Sequence, residues 1–297
     1  MMSNNLNIAI VGPGAIGTTV AAALYEVDKT PRLYGRTPRE QLVLHVQDET
    51  IIVSGPVQTN PKQVKEKADL VFFAVKTTQI EGAAPWLKAL CGPNTVVCVL
   101  QNGIEQVAMV SPHAAESKVI PAVVWFPVQP QPDGSAWLRG KPNFILPSGK
   151  SAKFVAEVLK DTRCSVELSD DFKTEAWRKL LLNAVDGLMA LTGRRAGMYR
   201  CSDIENLVQD YLKECLAVAR ADGATLTDAV IKELIDKFQG YPEDMGSSIL
   251  TDYEANRPME WDIRNGVIKR LGEKYDIPTP ISDVVVPLLA AASDAPG

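Results

Sequence analysis

The stretch Ile8-Ala9-Ile10-Val11-Gly12-Pro13-Gly14-Ala15-Ile16-Gly17 decides how the first half of the chain is read. A short apolar strand runs into three glycines spaced G-x-G-x-x-G, and Thr18 to Tyr25 continues as a helix. In that setting each glycine has a task. Gly12 makes the tight turn, Gly14 lets the backbone approach a pyrophosphate, and Gly17 lets helix and strand pack closely. The helix N-terminus, at Ala15 and Ile16, then offers free N–H groups and a partial positive charge to the phosphates. Pro13 removes one N–H from the loop, but its fixed φ suits a turn. The plainer reading is a glycine turn in a sheet protein without cofactor; the strand–turn–helix context favours a bound dinucleotide.

The next question is which nicotinamide cofactor fits. A second strand is expected at Pro31-Arg32-Leu33-Tyr34-Gly35. Folds that prefer NAD carry Asp or Glu near its end, bonding the ribose 2′-hydroxyl. Here Gly35-Arg36-Thr37-Pro38-Arg39 follows, and no carboxylate occurs before Glu40. Arg36 would meet a 2′-phosphate through charge-assisted hydrogen bonds. Its alternative is a solvated loop charge. The expectation is NADPH over NADH.

Length and composition narrow the classes. A chain of 297 residues suggests about two domains. Net charge is −5 with no Lys/Arg-rich run, so nucleic acid and anionic membranes are poor partners. The five cysteines form no C-x-x-C pair and have apolar neighbours, which reads as buried thiols in a reducing compartment. With only His45 and His113, no metal site is expected. No signal peptide is read at the N-terminus. The apolar run Val284 to Ala292 contains Pro287 and is too short to span a membrane. A cytoplasmic protein is expected, with a homodimer as the assembly open to it.

The first half alternates strand-like and helix-like segments. Strands are expected at Asn7–Val11, Arg32–Tyr34, Leu70–Val75, Thr95–Leu100, Val119–Phe126 and Phe144–Leu146, with Ser165–Leu168 as a further edge strand. Several are continuously apolar and β-branched, as parallel strands buried on both faces are. After Ser169 the pattern becomes helical: Asp171 to Leu191, Ser202 to Asp222, Thr227 to Phe238 and Glu260 to Tyr275. Ser202 with Glu205 reads as a capping box, Gly223 as a stop, and Pro278 and Pro280 as breakers. The expectation is an α/β Rossmann-type doubly wound dinucleotide-binding domain over residues 1–168. An all-α substrate and catalytic domain is expected over 169–297.

Ligands of open α/β sheets sit outside the carboxyl ends of the strands. Lys76 follows one buried apolar run and Asn102-Gly103 another, so both are placed to reach a nicotinamide or an anionic substrate. Lys76 could instead be a surface charge at a strand end, and Asn-Gly a simple turn. In the helical half, Lys179 and Asn183 lie four residues apart on one helix face, amid Trp177, Leu180, Leu181 and Leu182. Desolvation there would lower the amine's pKa and suit it to proton transfer; the plainer role is an ion pair with Glu175. Ser247-Ser248 and Glu260 complete the polar set, though Glu260 could simply pair with Arg264. Together these groups have the logic of an oxo-acid site: cations for the carboxylate and an acid for the developing alkoxide.

These pieces resemble the ketopantoate reductase (2-dehydropantoate 2-reductase) family. The likeness rests on Gly12 to Gly17, Lys76, Gln101-Asn102-Gly103, the K-x-x-x-N of Lys179 and Asn183, Ser248 followed twelve residues later by Glu260, and the tail from Gly266-Val267 to Pro278-Thr279-Pro280. It implies that Lys179 is the general acid that protonates the C2 carbonyl oxygen while NADPH delivers hydride. It implies that Glu260 positions the substrate hydroxyl and orients Lys179, that Asn183 and Ser248 bind substrate, and that Asn102 and Lys76 hold the nicotinamide side and the substrate. The substrate implied is ketopantoate or a related branched 2-oxo acid, as in pantothenate biosynthesis. Some residues depart from the family pattern. A second asparagine four residues after Asn183 is replaced by Gly187, and the asparagine three residues before Ser248 by Met245. The loss of a contact at Gly187 implies weaker binding of ketopantoate and space beside Asn183, which Trp125 or Phe126 would partly fill, favouring a less polar oxo acid. Two other readings stay open: another 2- or 3-hydroxy acid or opine-type dehydrogenase, and a regulatory protein that binds NADPH without turnover.

Overall fold

The computed structural model describes residues 6–114 and 116–294. It divides into two compact units. The first runs to Gln101 and from Glu105 to Phe172; the second comprises Asn102–Ile104 and the chain from Lys173 onward.

Among the described residues the first unit contains twelve strands and four α-helices: β1 (Ile8–Val11), α1 (Ala15–Tyr25), β2 (Arg32–Tyr34), β3 (Gln41–Val46), β4 (Glu49–Ser54), β5 (Leu70–Phe73), α2 (Ile80–Leu90), β6 (Val96–Val99), α3 (Gln106–Val110), β7 (Lys118–Pro121), β8 (Val123–Val124), β9 (Val128–Pro130), β10 (Ala136–Leu138), β11 (Asn143–Pro147), α4 (Lys150–Leu159) and β12 (Ser165–Ser169). Its centre is a five-stranded sheet, β2-β1-β5-β6-β7, parallel throughout. The pleat separates two cores. Ile8, Ile10, Leu70, Phe72, Val96 and Cys98 face α1 and α4. Ala9, Val11, Val71, Phe73, Val97 and Val99 face α2 and Val110 of α3. Burial on both faces explains the uninterrupted apolar runs. This is the doubly wound Rossmann-type architecture that those runs predict.

Two smaller sheets were less legible. Strands β3 and β4 form a hairpin that joins β10 and β9 in a four-stranded sheet packed on α1. No strand is expected there from sequence, because the hairpin turn carries no glycine; Gln47 itself takes the left-handed conformation, φ +51°. The run read as one strand, Val119–Phe126, is split. Its first part, β7, belongs to the central sheet, and β8 pairs antiparallel with β11 in a third sheet with β12.

The second unit is helical: α5 (Phe172–Thr192), α6 (Ser202–Ala221), α7 (Ala229–Gln239), α8 (Ser248–Glu254), a π-helical turn (Asp262–Gly266), α9 (Val267–Tyr275) and α10 (Pro280–Asp294). Helix α5 is buried continuously from Leu180 to Ala190. Pro280, read as a breaker, instead opens α10 at a first-turn position where its missing N–H is not needed. The N-terminus of α10 is held by Glu214 of α6, which accepts from the backbone N–H of Ile281 (2.7 Å) and Ser282 (2.9 Å) and from Ser282 Oγ (2.6 Å). The capping box at Ser202 is not formed: Cys201 occupies the cap and no side chain bonds there. Gly223, at φ +98°, does end α6. Four cysteines are buried and Cys201 is exposed. Burial pushes the Cys98 and Cys164 thiols up to about 12. Among the described residues no helix is long and apolar enough to cross a membrane.

Gly187 has a packing role that overturns the expected open space. A Cβ there would lie 2.9 Å from Asn265 Nδ2, 3.0 Å from its Oδ1 and 3.1 Å from Leu289 Cδ1. Asn265 cannot yield cheaply. It is fully buried, and its Nδ2 donates to Ala184 O (2.8 Å) and Tyr211 Oη (3.0 Å). Phe126 does not act as filler; it packs edge-to-face on Phe144 in the core of the first unit, ring centroids 5.4 Å apart. Gly187→Ala should therefore cost about 1–3 kcal/mol by overpacking, and Gly187→Asn at least as much. Chemical denaturation of both variants checks this; unchanged stability would mean that Asn265 moves freely.

Candidate active site

In the first unit, three chain segments converge at the end of β1. Gly12 sits at φ +84°, and a Cβ on it would come within 2.5 Å of Val75 Cγ1, so the segment carrying Lys76 lies against the glycine turn. Gly17 is needed for contact: its Cβ would lie 2.6 Å from Gly12 O. Gly35 packs on Pro13, where a Cβ would be 3.1 Å from Pro13 Cδ, and Arg36 follows it, exposed.

Gly14 is different. Its φ of −75° suits any residue, and a Cβ there would meet nothing within 4 Å. Nothing within the protein requires glycine at this position. The space beside it is open. Gly14 also caps α1 without a side-chain bond, and no acidic residue occupies the first turn. The Gly14 N–H donates to Gly12 O at 2.8 Å, while those of Ala15 and Ile16 open the first turn and suit an anion. The residues present thus fit a dinucleotide: a cradle that a Cβ would fill, a helix N-terminus, and Arg36 and Lys76 flanking it.

The second unit assembles the other candidates. Lys179, Asn183 and Asp186 occupy one face of α5, spaced by one and two helical turns. Asn183 is buried and its Nδ2 donates to Asn102 Oδ1 at 3.3 Å. Asn102 is set by the turn at Gly103, which takes φ +95° and packs on Ile263, where a Cβ would lie 3.3 Å from Ile263 Cβ. Lys179 is half-buried. Burial pulls its ammonium down to about 8, opposed by the Asp186 charge and assisted by Arg264 and Lys237. Burial likewise pushes the Asp186 carboxyl up to about 6, against the pull of Arg264, Lys179 and Lys237.

Glu260 is buried just before the helical segment that begins at Trp261, not on it as the periodicity suggested. Its Oε2 lies 3.9 Å from Arg264 Nη2, so the expected ion pair exists at a distance too long for a hydrogen bond. Arg264 Nη2 instead donates to Ser248 Oγ at 2.9 Å. Ser248 is the first residue of α8, whose cap is Ser247, accepting from Leu250 N–H at 3.3 Å.

Lys179, Asn183, Asn102, Ser248 and Glu260 therefore all belong to the second unit, while the glycine loop, Arg36 and Lys76 belong to the first. Sequence reasoning missed two members of this set. Asp186 is not singled out by any motif, although its spacing from Lys179 puts it on the same face. Arg264 was seen only as a partner for Glu260.

Known proteins resemble this chain over nearly its full length. Residues 8–150 match the family described as ketopantoate reductase PanE/ApbA, and residues 171–293 match its C-terminal domain. A 2-dehydropantoate 2-reductase from Mycobacterium tuberculosis is 50% identical over 291 residues, covering 98% of this chain and 99% of that protein. The chain belongs to the ketopantoate reductase family. It is accordingly an NADP-dependent oxidoreductase acting on CH–OH groups. Among solved structures, a PanE/ApbA family ketopantoate reductase from Ralstonia eutropha JMP134 superposes with a TM-score of 0.88 at 28% identity, covering 97% of this chain and 99% of that one. A dimeric ketopantoate reductase from Staphylococcus aureus has the same fold, with a TM-score of 0.88 at 24% identity and coverage of 97% and 99%.

The contrast between two glycines gives a direct check. Gly14→Ala should leave stability within about 0.5 kcal/mol, as at an uncrowded site, yet weaken NADPH binding by about tenfold or more. Gly17→Ala should destabilise by about 1–3 kcal/mol through its clash with Gly12 O. Thermal unfolding and NADPH titration separate the two; normal NADPH affinity in Gly14→Ala would detach the loop from the cofactor.

Proposed function

We propose that the chain reduces ketopantoate, or a closely related branched 2-oxo acid, to the 2-hydroxy acid with NADPH, using Lys179 as general acid. The observation that carries this reading is the Lys179 ammonium, acidified by burial, on the same helix face as Asn183, with a buried carboxylate in Glu260. NADPH, when bound, supplies the hydride for C2. Lys179 supplies the proton to the carbonyl oxygen. At pH 7 an ammonium with a pKa of about 8 is mostly protonated, and it gives up its proton more readily than an exposed lysine does. Asn183 and Asn102, bonded to each other, fix amide groups for the substrate oxygens. Ser248 binds substrate, and Glu260 receives the product hydroxyl and orients the lysine. Arg36 and Lys76 serve the cofactor.

Filling of the Gly187 position by Asn265 removes the reason drawn from open space for disfavouring ketopantoate, and 50% identity to the Mycobacterium tuberculosis reductase supports it as the substrate. A homodimer is the assembly proposed, supported by the dimeric Staphylococcus aureus relative and by exposed Val284 and Leu288 on α10. Buried free thiols support the cytoplasm as its compartment.

The 2′-phosphate assignment predicts that NADPH binds about tenfold or more tightly than NADH, the value of one charge-assisted contact, and that Arg36→Ala erases most of that difference. Equal affinities in the intact protein would remove Arg36 from the site.

Lys179→Ala should lower kcat by about 10²–10⁴ while leaving NADPH affinity nearly unchanged. The pH profile adds a signed test. Reduction needs the protonated amine, so kcat/KM should fall as pH rises through about 8. Asp186 stabilises the charged amine, so Asp186→Asn should move that limb to lower pH. A limb that stays in place would separate Asp186 from the proton donor, and near-normal turnover by Lys179→Ala would make Lys76 the next acid to test.

A further inference from the structure

Arg264 is almost completely buried, at 1% exposure. Among the described residues, four buried side-chain polar atoms have no hydrogen-bond partner, and two of them are its Nε and Nη1. Only Nη2 is engaged, donating to Ser248 Oγ at 2.9 Å, with Glu260 Oε2 beyond hydrogen-bond reach at 3.9 Å. Buried guanidinium groups are normally met by acceptors on every side, because an unmet buried donor keeps its full desolvation penalty. A guanidinium left open in this way is arranged for an acceptor that comes from outside the chain.

The surroundings define that acceptor. The π-helical turn Asp262–Gly266 holds Arg264, and turns of this kind recur at functional sites. Electrostatically, Arg264 acts on both Lys179 and Asp186. Three cations, Lys179, Arg264 and Lys237, act here against two carboxylates, Asp186 and Glu260, an excess of one positive charge that does not call for a multiply charged ligand. It suits a single carboxylate, which accepts hydrogen bonds from guanidinium N–H groups. Ser248 Oγ accepts from Nη2 and retains its own O–H to donate in turn.

We propose that Arg264, together with Ser248, binds the carboxylate of the 2-oxo acid and is the residue that makes the enzyme select acids over neutral ketones. The inference rests on the 2-oxo acid reductase reading above. In a 2-oxo acid the carboxylate is one bond from the carbonyl carbon. Holding it at Arg264 therefore fixes where the carbonyl oxygen can present itself to Lys179.

The experiment compares ketopantoate with its uncharged lactone as substrates of the NADPH-loaded enzyme, for the unaltered protein and for Arg264→Met. Loss of the anchor should lower kcat/KM for the acid by about 10²–10³-fold and change that for the lactone less than about threefold. NADPH affinity should be unchanged. Equal losses on acid and lactone would show a structural role and overturn the proposal. Arg264→Met takes the cation away from buried Glu260, 3.9 Å distant, so its unfolding transition is measured beside its kinetics. Should it fail to fold, Arg264→Lys keeps the charge but not the planar donor set, and the same acid-specific loss, at about tenfold, is then the deciding result. If the unaltered protein reduces neither compound, the assigned reaction fails, and calorimetry with oxamate on the NADP complex decides Arg264 separately. Oxamate binding that is lost in Arg264→Met sustains the anion site; binding that persists in the variant, or is absent from the unaltered protein, refutes it.

Discussion

Helix α5 imposes the main constraint on the second unit. It is buried along most of its length yet carries an ammonium, an amide and a carboxylate on one face. Ionised groups in such a setting must be matched by charge and hydrogen bonds, or their pKa values move toward neutrality. Both effects operate here. Lys179 is pulled down and Asp186 is pushed up, each mainly by burial. The adjoining segments answer this demand: Asn102 accepts from Asn183, and Asn265 of the π-helical turn donates to the carbonyl of Ala184. The close approach of that turn requires Gly187, where any side chain would meet the Asn265 amide. The glycine at 187, the buried asparagine at 265 and the acidity of Lys179 are therefore linked consequences of one crowded helix.

The first unit solves a different problem, close approach without charge. Two of its loop glycines are explained within the fold, Gly12 by a left-handed turn against Val75 and Gly17 by contact with Gly12 O. The third, Gly14, is explained by nothing in the protein. A position that needs no glycine for folding, between two that do, supports the proposal that the loop is shaped for the cofactor. The helix it opens is buried on all sides by the central sheet and by the sheet of β3, β4, β9 and β10, so its N-terminus is held in place.

Much of this was readable from the sequence because the signals were local. The parallel strands show as continuous apolar runs, and the glycine spacing with its flanking strand and helix identifies the loop. The α5 face is visible in the spacing of Lys179 and Asn183. What escaped detection depended on contacts distant in sequence or on atypical turns. The β3–β4 hairpin turns through Gln47 in a conformation usually left to glycine or asparagine. The α10 N-terminus is held by Glu214, 68 residues from Ser282. The role of Gly187 was misread because its meaning lies in Asn265, which no local pattern ties to it.

The same limit explains why Arg264 was read as an ordinary i, i+4 partner of Glu260. Spacing places the two groups on neighbouring turns of a regular helix, where a salt bridge is the simplest expectation. Glu260 precedes the helix, and the turn that follows it is a π-helix, whose wider winding shifts side chains from their regular positions. The result is a 3.9 Å separation in place of a hydrogen-bonded pair, with the guanidinium turned to Ser248. An irregular turn thus converts a stabilising surface-type pair into a buried, incompletely satisfied cation. Two of its donors are buried without a partner, a desolvation cost that folding stability does not explain. Buried polar groups left unmatched call for a functional account, and here the proposed proton donor Lys179, with Ser248 and Glu260 beside the guanidinium, offers one.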